Sequence, residues 1–180
     1  MIDLGRDHAV LMQHFSDTCD LVRAVDRSRM DICREGVPNI ESLLEGLWHE
    51  LHAYASVVLE RIENLAPELD VFQTARKPHS PGSMPLPDCE RDFCPRLKSL
   101  LDLYMSYERE CERSVAILER LGDLESSRLV NRSSAIAAKG RWFLSAYLAV
   151  LTAKEDVDHL PEWPHIVMEM LRAGEPGRSM

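Results

Sequence analysis

Five side chains on one side of the segment 43–63 have the chemistry to bind a metal ion or to exchange a proton. They are Glu45, His49, His52, Ser56 and Glu60. At 100° per residue in an α-helix, they lie within about 80° of one another around the axis. The apolar residues of the segment centre on the opposite side, so the five face solvent or another subunit. Carboxylates and imidazoles suit a metal site, but a solvated polar face has the same composition, and both interpretations stay open.

One charged residue upstream of this segment interrupts an apolar pattern. Arg29 continues the stripe to which Val22 and Val25 belong, and a charge buried there is costly unless it is paired. Asp26, three residues earlier, is a local partner at helical spacing. A carboxylate from the segment 43–63, or from a neighbouring chain, is the alternative partner.

Four amphipathic helices are predicted to position these side chains. Apolar residues recur every three or four positions, which is the helical period, and no comparable run of period two competes. Gly36 and Pro38 separate the first two helices, Gly122 ends the third, and Asp123 is suited to cap the fourth. The predicted helices cover residues 7–33, 40–66, 95–121 and 125–153.

The connection between the second and third helices is long and rich in proline. It reads QTARKPHSPGSMPLPDCERDFCP and contains five prolines. Two short links and one long link predict an all-α four-helix bundle with a crossover along its length. We expect one bundle domain over residues 1–153, followed by a C-terminal extension over 154–180 that contains a short helix.

The overall composition is that of a single globular domain. The chain has 180 residues, of which 45% are hydrophobic and 28% charged. Its formal net charge of −9 repels phosphate backbones, so nucleic acid is not expected as a partner. No apolar run approaches the roughly 18–20 residues that span a bilayer, so no membrane partner is expected. Five cysteines are an odd number, which indicates reduced thiols and a cytoplasmic protein.

Two stretches resemble a known family, the Dps-type miniferritins. The run PNIESLLEGLWHELHAYASVVLERIENLA resembles the second helix of that family, and LGDLESSRLVNRSSAIAAKGRWFLSAYL resembles its fourth, with the ending Lys-x-x-Trp-x-Leu-x-Ala-x-Leu. The resemblance covers roughly residues 10–151. It implies a ferritin-like bundle, a dodecameric shell of identical chains built from twofold dimers, and cytoplasmic iron storage in the stress response. The chemistry that it implies is oxidation of Fe(II) by peroxide or oxygen.

The resemblance also implies a site between two subunits, carried over position by position. The family's histidine on the first helix corresponds to Arg29, and the tryptophan commonly after it corresponds to Met30. The histidine that opens the second helix corresponds to Glu41, and the acidic residue one turn later to Glu45. Later in that helix, the family's aspartate corresponds to Ser56, and its glutamate is kept as Glu60.

The departures from the family pattern leave two accounts of this site. In the first, Arg29 occupies the metal position and pairs with a carboxylate of the partner, so that Arg29 and Ser56 mark an interface without ferroxidase activity. In the second, the site has shifted by about one turn, and His49 and His52 join Glu45 and Glu60 as iron ligands. Glu41, at the position of the family's histidine, is a further candidate metal ligand. We favour the first account because the second has no role for Arg29, whose fixed positive charge opposes a bound cation.

Other residues carry weaker signals. No Glu-x-x-His occurs at a core-facing position, so a di-iron site inside one bundle is not expected, and Glu108 stands alone on the apolar stripe of the third helix. Cys89 and Cys94, on the long connection, have no second pair nearby and are a weak zinc signal. The remaining cysteines, at positions 19, 33 and 111, are predicted to be small core residues.

Overall fold

The computed structural model describes residues 4–35, 38–65 and 93–154. In these ranges the chain forms four α-helices, namely α1 (Leu4–Glu35), α2 (Pro38–Leu65), α3 (Phe93–Leu121) and α4 (Leu124–Lys154). The all-α fold predicted from the apolar spacing is confirmed, and each helix ends within a few residues of its predicted boundary.

The turn between α3 and α4 is built as its residues predict. Gly122 adopts a φ of 85°, in the left-handed region that glycine enters without steric cost. The backbone N–H of Asp123 donates to the carbonyl of Leu118 at 3.0 Å, which closes the end of α3. The carboxylate of Asp123 accepts a hydrogen bond from the N–H of Ser126 at 3.0 Å, so Asp123 caps α4.

Contacts between the helices define their directions. Thr18 meets Tyr107, and Asp31 pairs with Arg96 at 3.4 Å, so α1 and α3 run antiparallel. The helices of each sequential pair, α1 with α2 and α3 with α4, are also antiparallel. Consequently α2, which is about 42 Å long, and α3 run parallel. Parallel successive helices are what the predicted crossover topology requires.

The core is apolar and draws on all four helices. Its largest fully buried side chains include Leu11, Leu44, Leu51, Leu97, Leu118 and Leu144. One close approach involves the ring of Tyr104, which lies over Gly140. A Cβ atom added to Gly140 would stand 2.3 Å from Cε1 of Tyr104, so only glycine fits this contact between α3 and α4.

Several sequence predictions fall outside the described residues. They concern Cys89 on the proline-rich connection and the short helix expected in the C-terminal extension. Among the four helices that the structure describes, none has an apolar stretch sufficient to cross a membrane.

Candidate functional site

The side chains singled out on α2 form one exposed face. Glu45, His49, His52, Ser56 and Glu60 all lie on the solvent side of the helix, while Leu44, Leu51 and Val58 point into the core. We call these five residues the α2 face. Glu41, one turn nearer the start of the helix, is half-buried.

Interactions within the α2 face are few and local. Nε2 of His49 lies 3.9 Å from Oε1 of Glu45, and both side chains are more than half exposed, so water screens this contact. The hydroxyl of Ser56 donates to the backbone carbonyl of His52 at 3.2 Å. The α2 face therefore leaves its carboxylates and imidazoles accessible to a ligand or to another chain.

Arg29 of α1 stands at the edge of the α2 face and is connected to it through Trp48. Its guanidinium pairs with Asp26 at 3.0 Å, which is the local partner predicted from the spacing. The guanidinium carbon also lies 5.6 Å from the centroid of the Trp48 ring, a distance at which a cation is attracted to an aromatic face. Trp48 in turn stacks on His52, with centroids 5.0 Å apart and planes tilted by 31°.

Arg29 is thus partly buried, with 27% of its side chain exposed. A fixed positive charge therefore lies over the ring of Trp48, and the same ring contacts the imidazole of His52.

A single chain does not assemble the predicted ligands around one ion. Glu45 and Glu60 are fifteen residues apart on α2, which separates them by about 22 Å along the axis. Within residues 4–35, 38–65 and 93–154, no group of three or more His, Cys, Asp and Glu side chains is placed to hold a metal ion. Among the described residues, the α2 face therefore does not by itself bring three ligand side chains together.

Glu108 of α3, the isolated acid on an apolar stripe, is accounted for by a neighbour on α4. Its Oε2 lies 3.0 Å from Nε of Arg141, and the pair is partly exposed. Cys111 is fully buried and Cys19 is half-buried. Cys94 is half-buried near the start of α3.

Inside the bundle lies a group of polar side chains that the sequence pattern did not predict, which we call the central polar network. All four helices contribute to it. Its members are His14 and Thr18 of α1, Tyr54 of α2, Tyr107 and Cys111 of α3, and Ser133 of α4. Their signal is a polar residue at a core-facing helical position, and this signal is weak because a single hydroxyl or imidazole hardly alters an apolar stripe.

The central polar network satisfies its own hydrogen bonds. The hydroxyl of Thr18 donates to the carbonyl of His14 at 2.7 Å, so it accepts from the Tyr107 hydroxyl, also at 2.7 Å. By the same reasoning Ser133 donates to the carbonyl of Val130 at 2.6 Å and accepts from the thiol of Cys111 at 3.1 Å. These bonds explain how hydroxyl groups are accommodated in the core.

Burial shifts the acid–base behaviour of this network. It lowers the pKa of His14 to about 4, which keeps the imidazole neutral near pH 7. Burial also raises the pKa of the Cys111 thiol to about 11, so the thiol stays protonated. The phenols of Tyr54 and Tyr107 have their pKa raised for the same reason.

Comparison with known proteins identifies the fold. No family model and no curated protein matches this sequence. The solved structure of a mutant of Mycobacterium smegmatis Dps1 matches with a TM-score of 0.66 and 20% sequence identity, over 81% of this chain and 96% of that chain. At this identity the similarity establishes the architecture, a Dps-like bundle of the ferritin type, as the resemblance of α2 and α4 implied.

Proposed function

We propose that this chain is a Dps-like iron-storage protein that assembles into a homo-oligomeric shell and protects against oxidative stress. The observation that carries the proposal is the placement of ligand-type side chains on an exposed face of α2 within a ferritin-type fold. A site on the outside of one bundle needs a second subunit to close it. This is the intersubunit arrangement that the sequence resemblance implies.

Apolar side chains beside the α2 face support a subunit interface there. Met30 of α1 is 55% exposed and Val57 of α2 is 41% exposed. Large apolar side chains next to a polar, aromatic surface are typical of protein–protein contacts. Burying them against a second copy of the chain would also remove water from Arg29 and Trp48.

A twofold axis gives the two α2 helices a simple register. If Glu45 faces the partner subunit's Glu60, then His49 faces the partner's Ser56, and His52 lies beside the axis. Two carboxylates that face each other repel unless a cation lies between them. Fe(II) is the cation that we propose, as the substrate of the site. Each Fe(II) gives up one electron, hydrogen peroxide accepts two, and the ferric product enters the shell.

An alternative function is a structural or interaction scaffold that has the same shell but no ferroxidase activity. The position of Arg29 favours it, because the guanidinium could pair with the partner's Glu60 and supply one positive charge in place of the metal ion. The Ser56 hydroxyl, which donates to its own helix, offers an iron ion far less than the aspartate that the family has there.

The first test is oxidation of Fe(II) by the full-length, metal-stripped protein, followed by ferric absorbance after adding peroxide. We expect saturable oxidation above the buffer rate, and a loss of at least about tenfold in Glu60→Ala, the usual scale for an altered metal site. Glu112→Ala is the matched control, since Glu112 is an exposed glutamate on α3. A wild-type trace that matches buffer would exclude the oxidase and leave the scaffold.

The assembly is tested separately by native mass spectrometry. A dodecamer, with dimers as its dissociation product, is expected for both functions. A monomer at micromolar concentration would contradict both, because the α2 face would then remain open.

A further inference from the structure

The outer side of α4 carries a regular stripe of side chains, apart from the α2 face. Its positions recur every three or four residues, so they lie on one side of the helix. All of them are exposed except the last, which is half-buried. We call them the α4 stripe, and they are Arg128, Arg132, Ala135, Lys139, Trp142 and Ala146.

Trp142 is the large apolar side chain of the α4 stripe. It is 53% exposed, although its ring meets the buried ring of Phe143 edge-on, with centroids 5.0 Å apart. The neighbouring members of the stripe are small, since Ala135 and Ala146 lie seven residues before and four residues after it. How closely two helices pack depends on the side chains at their contact. An indole between alanines therefore suits the close approach of another helix.

The charge of α4 is opposite to that of the whole chain. Residues 126–154 contain five basic side chains and no acidic one, whereas the chain has a formal net charge of −9. Two of the five pair with glutamates of α2 and α3. Arg128 and Arg132 form no ion pair with any residue that the structure describes. Because interfaces are electrostatically complementary, the partner of this surface should be acidic.

The C-terminal extension, which lies outside the described residues, has the required charge and pattern. Residues 155–180 contain six carboxylate side chains and two arginines. The short helix expected there has an apolar seam of Trp163, Ile166 and Met170, spaced by three and four residues. The α4 stripe has the same spacing, so the two can pack as facing helices.

We propose that the C-terminal extension folds back on its own chain and packs along the α4 stripe. Its apolar seam covers Trp142 and the adjacent alanines, and its carboxylates lie near the basic side chains of α4. The distances allow this arrangement. Trp142 precedes Lys154, the last residue of α4, by about 18 Å along the helix axis. Residues 155–162 then form the turn between the two helices.

The covalent link favours the extension over a separate partner. A short flexible linker holds a tethered segment at an effective concentration of about millimolar. A contact too weak to retain a free peptide is therefore sufficient. The arginines alone would also attract a polyanion such as nucleic acid, but Ala135 and Trp142 between them favour a segment with an apolar seam.

Photo-cross-linking of the full-length protein tests the contact. Benzoylphenylalanine at position 170 should cross-link to the α4 peptide that contains Trp142, in a band with the mass of a single chain. Position 168, on the opposite side of the expected helix, is the matched control and should give little product. Cross-links from position 170 that miss α4, or equal yields at both positions, would overturn the docking site. A band with the mass of two chains would overturn the folding back on the same chain.

A second measurement follows Trp142 itself. Fluorotryptophan labelling gives one fluorine resonance for each of the three tryptophans, and Trp142→Phe identifies the one required. Met170→Asp places a charge in the apolar seam, so the Trp142 resonance should broaden more strongly with a soluble paramagnetic agent. Met168→Asp should leave it as in the wild type.

Both substitutions lie outside the four helices, and circular dichroism verifies that the bundle is folded in each variant. If Trp142 is as accessible in the wild type as in Met170→Asp, the extension does not cover it and the proposal is wrong. Neither experiment requires iron, so the result is independent of the proposed function.

Discussion

Asp17 of α1 is a half-buried carboxylate that titrates near neutral pH. Burial is the largest cause of its raised pKa, which lies at about 6 instead of 3.8, and the nearby carboxylates Asp20 and Glu110 add to the effect. Gln13 donates a hydrogen bond to it at 2.8 Å, which opposes the shift only in part. Because the folded state holds the proton more tightly than the unfolded state, Asp17 costs stability above pH 6 and no longer does so below about pH 4.

Because the ionised carboxylate of Asp17 destabilises the fold at pH 7, we make a prediction for Asp17→Asn. The amide keeps an oxygen for Gln13 and removes the buried charge, so the variant should melt at a higher temperature than the wild type at pH 7. The difference in melting temperature between the variant and the wild type should shrink as the pH falls from 6 to 4, and it should vanish below pH 4. Thermal unfolding across this range measures it, with the exposed Asp102→Asn as control. A difference in melting temperature that does not change with pH would contradict the raised pKa.

His14, one turn away on the same helix, acts in the opposite direction. Its pKa is lowered from 6.5 to about 4, so the stability that the neutral imidazole contributes is present above pH 6.5 and is lost as the pH falls to 4. The effects of these two groups on the pH dependence of stability therefore partly cancel in the wild type. In Asp17→Asn, the stability should fall more steeply as the pH drops from 6.5 to 4, because only the effect of His14 remains.

Two helical glycines, Gly46 and Gly140, allow a comparison of the same substitution in an open and in a closely packed position. Gly140 of α4 is covered by the ring of Tyr104, whereas a Cβ at Gly46 of α2 would meet no atom within 4 Å. Alanine favours a helix interior over glycine by about 1 kcal/mol. We expect Gly46→Ala to stabilise the fold by up to that amount. Gly140→Ala should destabilise it by about 1–3 kcal/mol, because overpacking outweighs the helix preference.

Urea unfolding of both variants measures the difference. If Gly140→Ala were as stable as Gly46→Ala, the ring of Tyr104 would have to move without cost. That result would contradict the close packing of α3 against α4.

The helices and their order could be predicted because each apolar stripe repeats over seven or eight turns. The turn between α3 and α4 could also be predicted, because glycine favours the left-handed conformation at position 122 and aspartate is a good N-cap at position 123. The exposed position of the α2 face followed from the same periodicity. The central polar network could not be predicted in this way, since Tyr54 meets His14 only after two helices have packed. Arg29 lies between these cases: its partner Asp26 is local in sequence, while its contact with Trp48 depends on how α1 and α2 pack.

The α2 face and the central polar network lie at the surface and in the core of the molecule, respectively. In the proposed function the α2 face binds iron together with a second subunit, so iron chemistry there would be a property of the assembly. The central polar network, by contrast, joins all four helices by hydrogen bonds within the described residues of one chain.

The proposed assembly allows a test of why the α2 face differs from the pattern of Dps-type miniferritins. In Arg29→His with Ser56→Asp, an imidazole replaces the fixed positive charge and a carboxylate replaces a hydroxyl. Since these are ligands that iron accepts, we expect Fe(II) oxidation to rise by at least about tenfold over the wild type. Arg29→Lys is the control, because it keeps the charge without supplying a ligand.

Native mass spectrometry has to accompany this measurement, because Arg29 also stands at the proposed interface. An intact assembly that oxidises Fe(II) faster in the double variant would mean that Arg29 and Ser56 limit the metal chemistry of a retained interface. An intact assembly with unchanged oxidation would mean that the two subunits do not bring position 29 of one chain close to position 56 of the other. The register in which Glu45 faces the partner's Glu60 would then be wrong.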